Sequence, residues 1–505
     1  MNTKDTSILI AFVLLKFCLQ YLLLDAGYDL QRDEYLHLDQ ANHLAWGYAS
    51  VPPVTSWISW VIKLLGNGVF WVKLFPALFG ALTLVVVWKT CALLGGSRYA
   101  KVLGATCVLF SSLLRLNTLY QPNSLDVLCW TATLYLLMRY LKTERPKVLY
   151  YTAVVVAIGI LNKYNIAFLL LAIIPALLFT PQRKIFRKKE LYIAVAIGLL
   201  LISPNLWWQV TNHFPVLRHM EELARTQLVN VARADFLKNQ LFFFTGALFV
   251  ILAALYGLFF ATALRPYRFL FWTFFGVLAL FTYFKAKDYY AIGLYPIYIA
   301  IGAVYSSNIV QHKVALVIKP LLLALPVLVF ALTYEVAYPN QTPEYIITHQ
   351  EKYRALGLLH WEDGKDHDIP QDYADMLGWR ELAEKVDAAY RTIEVPEQTL
   401  ILCDNYGQAG AINYYTKEPL KAVSFNADYI HWFELSNPYT NLIRVKNRDE
   451  RHEEFEKTRP FFESGKVYDS ITNVYAREYG TVIFVFENAK IDVNARIQEE
   501  LQSYE

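Results

Sequence analysis

The chain has 505 residues, of which 55% are hydrophobic and 18% are charged, and its mean hydropathy is +0.28. These values are too apolar for an ordinary soluble domain, so the composition indicates an integral membrane protein. The formal net charge is +3, and the positive residues are scattered among apolar segments rather than gathered on one face. This distribution argues against a nucleic-acid partner.

A membrane-spanning helix needs about 20 mainly apolar residues. The first apolar run follows Lys4 and has no small-residue cleavage site after it, so we expect an uncleaved first span. In all, the sequence predicts about eleven spans, near residues 8–24, 67–94, 99–116, 124–141, 148–162, 164–181, 190–208, 239–263, 268–284, 289–309 and 314–334.

The orientation follows from the excess of Lys and Arg in one set of short connections, which is typical of cytoplasmic loops. The other set is poor in cations, although the loop at 209–238 departs from this pattern. The N-terminus is therefore predicted to be cytoplasmic, and an odd number of spans places the C-terminal region outside. The cytoplasmic set contains Lys4, Lys89, Arg98, Lys101, Arg139, Lys142, Arg145, Lys147, Arg183, Lys184, Arg187, Lys188, Lys189, Arg265, Arg268 and Lys313.

Two domains are expected. Residues 1–334 form the membrane domain, including an outer loop at 25–66 in which a surface helix runs from Asp33 to about Trp46 and is stopped by Gly47. Residues 335–505 are polar and are predicted to form an extracytoplasmic α/β domain. Its predicted strands are 400–403 and 481–486, and its predicted helices are 379–391 and 447–457.

The five cysteines indicate neither a disulfide framework nor a zinc site. Four lie in apolar segments, and Cys403 is alone in the polar C-terminal part. No CxxC pair or Cys/His spacing typical of a metal site is present. We therefore expect no cofactor, and the sequence leaves open a divalent metal ion.

Acidic residues beside the bilayer are the first candidates for chemistry, because a carboxylate there is costly to desolvate. Asp33 and Glu34 follow the first span, and a helix N-terminus keeps a carboxylate such as that of Asp33 ionised and able to act as a general base. Position alone favours a helix cap equally well. Asp126 lies where the chain re-enters the membrane, where burial costs roughly 3 kcal/mol at mid-bilayer. It is predicted to face the bundle interior, although Asp126 or Ser124 could instead cap the helix.

Three lysines lie at outer span junctions, against the orientation rule: Lys163, Lys285 and Lys287. A single lysine there is explained by snorkelling to lipid headgroups. Three together favour a site for an anionic lipid phosphate, which ammonium groups bind as point charges. Tyr289 and Tyr290, beside the last pair, are candidates for ligand stacking.

An outward carboxylate and a cationic site at the membrane surface suit the transfer of a sugar from a lipid-linked sugar phosphate to a hydroxyl acceptor. The base deprotonates the acceptor, and the cations stabilise the departing phosphate. A carboxylate on one face of the sugar and the phosphate on the other imply inversion at the anomeric carbon.

The sequence resembles the membrane-embedded GT-C glycosyltransferases of family 39, which include protein O-mannosyltransferases and lipid A aminoarabinose transferases. The resemblance covers most of the chain. It rests on Asp33-Glu34 followed by Gly47-Tyr48 and Pro52-Pro53, Asn123 with Asp126, Leu161-Asn162-Lys163, Lys287 with Tyr289-Tyr290 before Pro296, Gly378-Trp379-Arg380-Glu381-Leu382 and Tyr406-Gly407-Gln408-Ala409.

The resemblance implies an α-helical polytopic membrane protein of GT-C fold in the inner membrane of a bacterium. It implies that Asp33 is the catalytic base, that Asp126 lies near the substrate, and that Lys163, Lys287, Tyr289 and Tyr290 lie near the donor. Beside these residues, Glu34 is assigned to the catalytic site and Lys285 to the donor site. The partners implied are a polyprenyl-phosphate sugar, membrane lipid and a glycan, lipid or protein acceptor. An arginine that some relatives place shortly after the acidic pair has no clear match here, since His37 stands nearby.

Two other classes of protein remain open. A secondary transporter or a translocator of lipid-linked substrates would also have many spans and buried charges, but it should show two related halves with broken helices at matching positions. No such halves are visible in the sequence. A receptor or assembly scaffold would not need acidic and basic residues at the same level of the membrane.

Overall fold

A computed structural model describes residues 3–23, 27–311 and 314–502. Leu24 at the end of the first predicted span, residues 25–26 of the outer loop and Lys313 lie outside the described residues. The helices are α1 Thr3–Leu22, α2 Arg32–Asp39, α3 Val54–Leu64, α4 Val69–Leu93, α5 Arg98–Leu109, α6 Ser112–Leu116, α7 Asn123–Thr143, α8 Pro146–Asn162, α9 Ile166–Leu178, α10 Lys189–Thr211, α11 Pro215–Thr226, α12 Arg233–Phe242, α13 Leu248–Phe260, α14 Phe269–Tyr283, α15 Tyr295–Ile309, α16 Ala315–Ala337, α17 Pro343–Thr348, α18 Gln350–Ala355, α19 Gln371–Ala374, α20 Trp379–Tyr390, α21 Tyr406–Tyr415, α22 Arg451–Thr458 and α23 Val493–Gln502. The strands are β1 Thr399–Cys403, β2 Ala422–Ser424, β3 Asn441–Lys446, β4 Phe462–Ser470 and β5 Val482–Ala489.

The chain divides into two compact units, called here the helical unit and the mixed unit. The helical unit comprises residues 1–24, 51–55 and 68–340, and the mixed unit comprises residues 25–50, 56–67 and 341–505. The whole loop at 25–66 was expected to belong to the membrane domain. The structure groups most of that loop with the C-terminal residues instead, because α2 packs on α21 and buries Tyr35 completely.

The helical unit contains the apolar helices. Within the described residues, five helices are long and apolar enough to cross a membrane, and two bent pairs raise that number to seven. Helices α3, α8 and α14 are apolar but shorter. These helices bear out an α-helical membrane protein, and each of the eleven predicted spans coincides with one or more of the helices of this unit. Because length and composition identify at most seven of these helices as long enough to cross a membrane, the number of eleven spans stays a prediction.

Two predicted spans are broken helices, and a third is followed by a sharp bend. The span at 99–116 is interrupted at Phe110, and Ser111 caps the short α6 that follows. The span at 164–181 is α9, and the 3-10 helix Pro181–Arg187 follows it at an angle of 108°. The span at 239–263 bends by 61° between α12 and the segment Thr245–Phe260. In both bent pairs one arm is polar and the other strongly apolar: Pro181–Arg187 carries three basic residues beside α9, and α12 carries Arg233, Asp235 and Lys238 beside α13.

The predicted surface helix at 33–46 is wrong in its length. Helix α2 ends at Asp39 and continues only as the 3-10 helix Gln40–Asn42. The hydroxyl of Tyr48 folds back, donating to the carbonyl of His43 at 3.0 Å and accepting from the amide of Ala45 at 3.1 Å. These side-chain bonds replace the next turn of helix, so the chain leaves the helix before Gly47.

The mixed unit is built around a five-stranded sheet with the order β2-β1-β3-β5-β4. β1 pairs in parallel with β2 and β3, and β5 pairs antiparallel with β3 and β4. The predicted strands at 400–403 and 481–486 are β1 and β5, and the predicted helices at 379–391 and 447–457 correspond to α20 and α22. The predicted α/β class of the C-terminal residues is therefore confirmed.

Candidate functional site

The helix that carries Asp33 is capped by its neighbours. Gln31 is the N-cap of α2, and its side chain accepts a hydrogen bond from the amide of Asp33 at 2.9 Å. Glu34 accepts from the amide of Gln31 at 2.7 Å, which completes a capping box. Glu34 is fully buried, and its carboxylate is bonded to the backbone of Gln31. The capping role that the sequence left open for Asp33 belongs to Gln31 and Glu34.

Asp33 is held instead by a side chain distant in the sequence. The hydroxyl of Tyr406, the first residue of α21, donates to Asp33 Oδ1 at 2.7 Å. The guanidinium of Arg32 lies 4.3 Å from the centre of the Tyr406 ring, within cation–π range. Burial raises the pKa of Tyr406 well above its ordinary value, so this residue stays a hydroxyl donor. Residue Asp33 as a whole is partly exposed, whereas its neighbour Glu34 is fully buried.

An ion pair between the partly exposed Arg477 and the buried Asp375 supports the start of α2. Arg477 donates to Asp375 Oδ1 at 3.0 Å, and the carbonyl of Asp375 accepts from the amide of Arg32 at 3.0 Å. Burial raises the pKa of Asp375 to about 6, although Arg477 and Arg32 act in the opposite direction. These bonds fix the start of α2 and with it the position of Asp33.

Asp126 lies in the first turn of α7 and is 4% exposed. Its two oxygens accept from Trp130 Nε1 and Asn165 Nδ2, both at 3.0 Å. The capping alternative does not hold for Asp126 or for Ser124, because Pro122 stands at the N-cap without a side-chain cap bond. Asp126 is therefore a buried carboxylate with polar partners.

Lys163 follows the last residue of α8 and reaches the same cluster. Its Nζ donates to Asn123 Oδ1 at 2.7 Å and lies 4.1 Å from the ring centre of Tyr290 and 5.2 Å from that of Tyr289. Asn165 also donates to the Tyr290 carbonyl at 2.8 Å. The structure thus brings together four of the predicted residues, Asp126, Lys163, Tyr289 and Tyr290.

The other two candidate lysines differ in their relation to this cluster. Lys287 is close enough to Lys163 for their positive charges to repel each other, but the attraction between Lys163 and the Asp126 carboxylate is larger. Lys285 stands at a left-handed backbone position with φ of 51°. Within the described part of the chain, no hydrogen bond or ion pair joins the side chain of Lys285 to the cluster.

Sequence reasoning missed several partners of these residues. Asn123 stands in a quoted motif and Asn165 lies two residues after Lys163, but neither carried an assigned role. Trp130 follows Asp126 by four residues, a spacing that places both on one helix face. For Tyr406 no sequence spacing could have helped, because 373 residues separate it from Asp33. Residues 3–23, 27–311 and 314–502 contain no group of three or more His, Cys, Asp and Glu placed to hold a metal ion.

Comparisons with known proteins find similarity to glycosyltransferases. Residues 50–208 match the family model described as dolichyl-phosphate-mannose-protein mannosyltransferase. The lipid A galacturonosyltransferase RgtD of Rhizobium johnstonii is 26% identical over 202 residues, a region that covers 37% of this chain and 41% of that relative. The aligned region thus spans less than half of the curated relative.

Solved structures match over nearly the whole chain. ArnT from Cupriavidus metallidurans bound to undecaprenyl phosphate has a TM-score of 0.63 and 14% identity, covering 95% of this chain and 98% of ArnT. The apo form of the same protein has a TM-score of 0.64 and 14% identity, covering 96% and 98%. The resemblance predicted from the motifs is confirmed: the chain has the fold of the GT-C glycosyltransferases.

Proposed function

We propose that the protein is an inverting glycosyltransferase that moves a sugar from a polyprenyl-phosphate donor to a hydroxyl acceptor. Asp33 takes the proton of the acceptor hydroxyl, whose oxygen forms the new bond to the anomeric carbon. The bond from that carbon to the phosphate oxygen breaks, and the electron pair leaves with the polyprenyl phosphate. A single direct displacement of this kind inverts the anomeric centre.

The observation that carries the proposal is the environment of Asp33. A carboxylate that only capped its helix would accept hydrogen bonds from backbone amides. Here the side chains of Gln31 and Glu34 accept those bonds. Asp33 is partly exposed and oriented by the Tyr406 hydroxyl at 2.7 Å, which suits a base that must meet a substrate.

The cluster around Lys163 supports the donor side of the proposal. Charge grows on the phosphate oxygen as its bond to the sugar breaks, and a fixed ammonium group stabilises that charge. Lys163 is held by Asn123 and by the two tyrosine rings, and Lys287 adds a second positive charge nearby. Two positive charges close together suit the binding of a phosphate, which carries negative charge on several oxygens.

An apolar groove in the same unit suits the polyprenyl chain. A cavity of about 720 Å³ lies between α9 and α14, lined by Leu171, Pro175, Trp272 and Tyr283 among others. Helix α9 begins three residues after Lys163, and α14 ends four residues before Lys287. Leu171 stands only about 8 Å of helix rise beyond Ile166, the first residue of α9. A lipid with its phosphate at Lys163 could therefore place its chain along this groove.

The classes of donor and acceptor draw support from the relatives. The ArnT structure contains undecaprenyl phosphate, and the curated relative is described as acting on lipid A. We therefore infer a polyprenyl-linked donor and an envelope lipid or glycan as acceptor, with a protein acceptor as a further candidate. The proposed location is the outer face of a bacterial inner membrane, with a cytoplasmic N-terminus and an exported C-terminal region.

The test is release of polyprenyl phosphate from a panel of labelled polyprenyl-phosphate sugars by the purified full-length protein, with envelope extract as acceptor. Asp33→Asn should lower turnover by about 10²–10⁴-fold, the usual contribution of a general base, while membrane insertion stays intact. Retention of more than about a tenth of wild-type turnover would remove Asp33 as the base. Movement of intact donor across vesicles without cleavage would instead favour the translocator.

A further inference from the structure

The mixed unit contains a polar cavity that the reaction described above does not use. Its volume is about 510 Å³, within the range of about 300–1,000 Å³ that is typical of small-molecule sites. Three segments line it, at residues 361–369, 447–449 and 474–481. All three belong to the mixed unit.

Aromatic rings form two walls of the cavity. The Trp361 ring stacks on His367 with centres 3.7 Å apart and planes at 15°, and its Nε1 donates to the carbonyl of Ile369 at 2.9 Å. On another wall, the Arg448 guanidinium lies 5.3 Å from the ring centre of Tyr479. These rings combine an apolar face with a polar edge and are held in fixed orientations.

A glycine shapes the wall beside Arg448. Gly480 has φ of 78°, which L side chains rarely adopt, and a Cβ there would lie 2.8 Å from Arg448 Cδ. The backbone therefore passes close under the arginine stem and presents the guanidinium at the cavity. Within the described residues, that guanidinium makes no ion pair, so its charge is available to a ligand.

Two residues that line the cavity are bonded to the segments that hold Asp33 and Tyr406. Arg477 lines the cavity and pairs with Asp375, whose carbonyl accepts from the Arg32 amide. Glu478, also in the lining, accepts from Gln408 Nε2 at 2.6 Å on the helix that begins with Tyr406. Two short chains of bonds thus connect the cavity wall to the start of α2 and to the start of α21.

We propose that this cavity binds a carbohydrate unit. Stacked aromatic faces accept the apolar C–H face of a sugar ring, and Arg448 and Arg477 offer charged hydrogen-bond donors to its hydroxyls. The choice of a carbohydrate rests on the proposed glycosyl transfer. The bound sugar unit belongs either to the acceptor glycan or to the donor, and the kinetic experiment below distinguishes the two.

Direct binding tests the cavity without any transfer reaction. Full-length protein in detergent is titrated with galactose, mannose and galacturonic acid, and binding is read by saturation-transfer NMR. Tyr479→Ala and Arg448→Ala should each weaken binding of at least one sugar by about tenfold. The matched controls are Phe461→Ala, at 41% exposure against 40% for Tyr479, and Arg451→Ala on the exposed face of α22. The controls should bind as the wild type does.

Two outcomes overturn the proposal: no sugar in the panel binds, or the cavity variants bind all sugars as tightly as the wild type. Neither depends on turnover, so failure of the cavity is distinguishable from failure of the transferase assay. Where transfer is detected, a rise in KM for the acceptor alone assigns the cavity to the acceptor glycan. A rise in KM for the donor alone assigns it to the donor sugar.

Discussion

At the scale of single residues, the role of Asp33 follows from which side chains cap helix α2. Two carboxylates stand side by side in the sequence, and the fold gives them different tasks. Glu34 is buried and bonded to the backbone of Gln31, whereas Asp33 is partly exposed and bonded to a phenol. The sequence identified the acidic pair, but only the capping box shows which member is left for chemistry.

Tyr406→Phe tests the bond that orients Asp33. The ring and its contact with Arg32 stay, and only the hydroxyl donor is lost. Because a hydrogen bond to a charged group contributes about 1.5–3 kcal/mol, we expect kcat to fall by about tenfold or more with little change in KM. Steady-state kinetics of the purified protein measure both. Tyr439→Phe, which removes an exposed hydroxyl of the same unit, is the control, and a Tyr406→Phe enzyme with unchanged kcat would contradict the role.

Lys163 is the residue on which the donor site depends most. Lys163→Ala should lower kcat by about 10²-fold, as other single electrostatic donors do, and should change donor binding less. Lys163→Arg should recover only part of the activity, because the planar guanidinium is larger than the ammonium group. Measurements of kcat and of membrane insertion on the same preparations test this prediction.

The control for Lys163 is Lys147→Ala, which removes an exposed lysine from a predicted cytoplasmic connection. If Lys163 only snorkels to headgroups, Lys163→Gln will disturb insertion and leave kcat as it was. That result would remove Lys163 from the site.

At the scale of elements, the packing of α2 on α21 sets the geometry around Asp33. Tyr35, on the buried face of α2, packs its ring edge-on against Trp379, Tyr414 and Tyr415 with centres 5.7–5.8 Å apart. Gly410 on α21 permits this approach, since a Cβ there would lie 2.9 Å from Tyr35 Cβ and 3.0 Å from its carbonyl carbon. The close contact brings Tyr406 and Asp33 together.

Gly410→Ala should therefore separate the two helices. We expect a loss of stability of about 1–3 kcal/mol, typical of overpacking, and a fall in turnover as the Tyr406–Asp33 bond lengthens. Thermal unfolding and activity of the full-length protein are measured together. Gly198→Ala is the steric control, because its nearest neighbour would be 3.9 Å away. A Gly410→Ala protein with wild-type stability and turnover would show that the contact adapts at no cost.

Prediction of elements from the sequence succeeded where a pattern is local. Helix α20 and strands β1 and β5 have apolar patterns that a short window reveals, and they lie where the sequence predicts them. Helix α21 was not predicted, because its residues 407–412 are all buried and mostly small, which leaves no amphipathic period to detect. The predicted length of α2 was wrong because the Tyr48 hydroxyl, outside the helix, bonds to the His43 carbonyl and replaces the next helical turn.

At the scale of the whole molecule, the predicted orientation has a direct test. Single cysteines are introduced at Lys466 in β4 and, separately, at Lys147 in a predicted cytoplasmic connection, both exposed, in a Cys18→Ser background. A maleimide that cannot cross the membrane should label the first cysteine in intact cells and the second only after lysis, because the Lys/Arg excess marks the cytoplasmic side. The reverse pattern would overturn the orientation.

The sequence by itself determined the membrane character, the places of the apolar helices, the α/β class of the C-terminal residues and the identity of the charged candidates. These follow from hydrophobic runs and from isolated charges, which are local properties of a chain. Only the tertiary structure decided that most of the loop at 25–66 packs with the C-terminal residues, that Tyr406 orients Asp33, and that Asn165 joins Asp126 to Tyr290. The physical reason is that such contacts depend on side-chain volume and hydrogen-bond geometry between distant segments, which no window along the sequence contains.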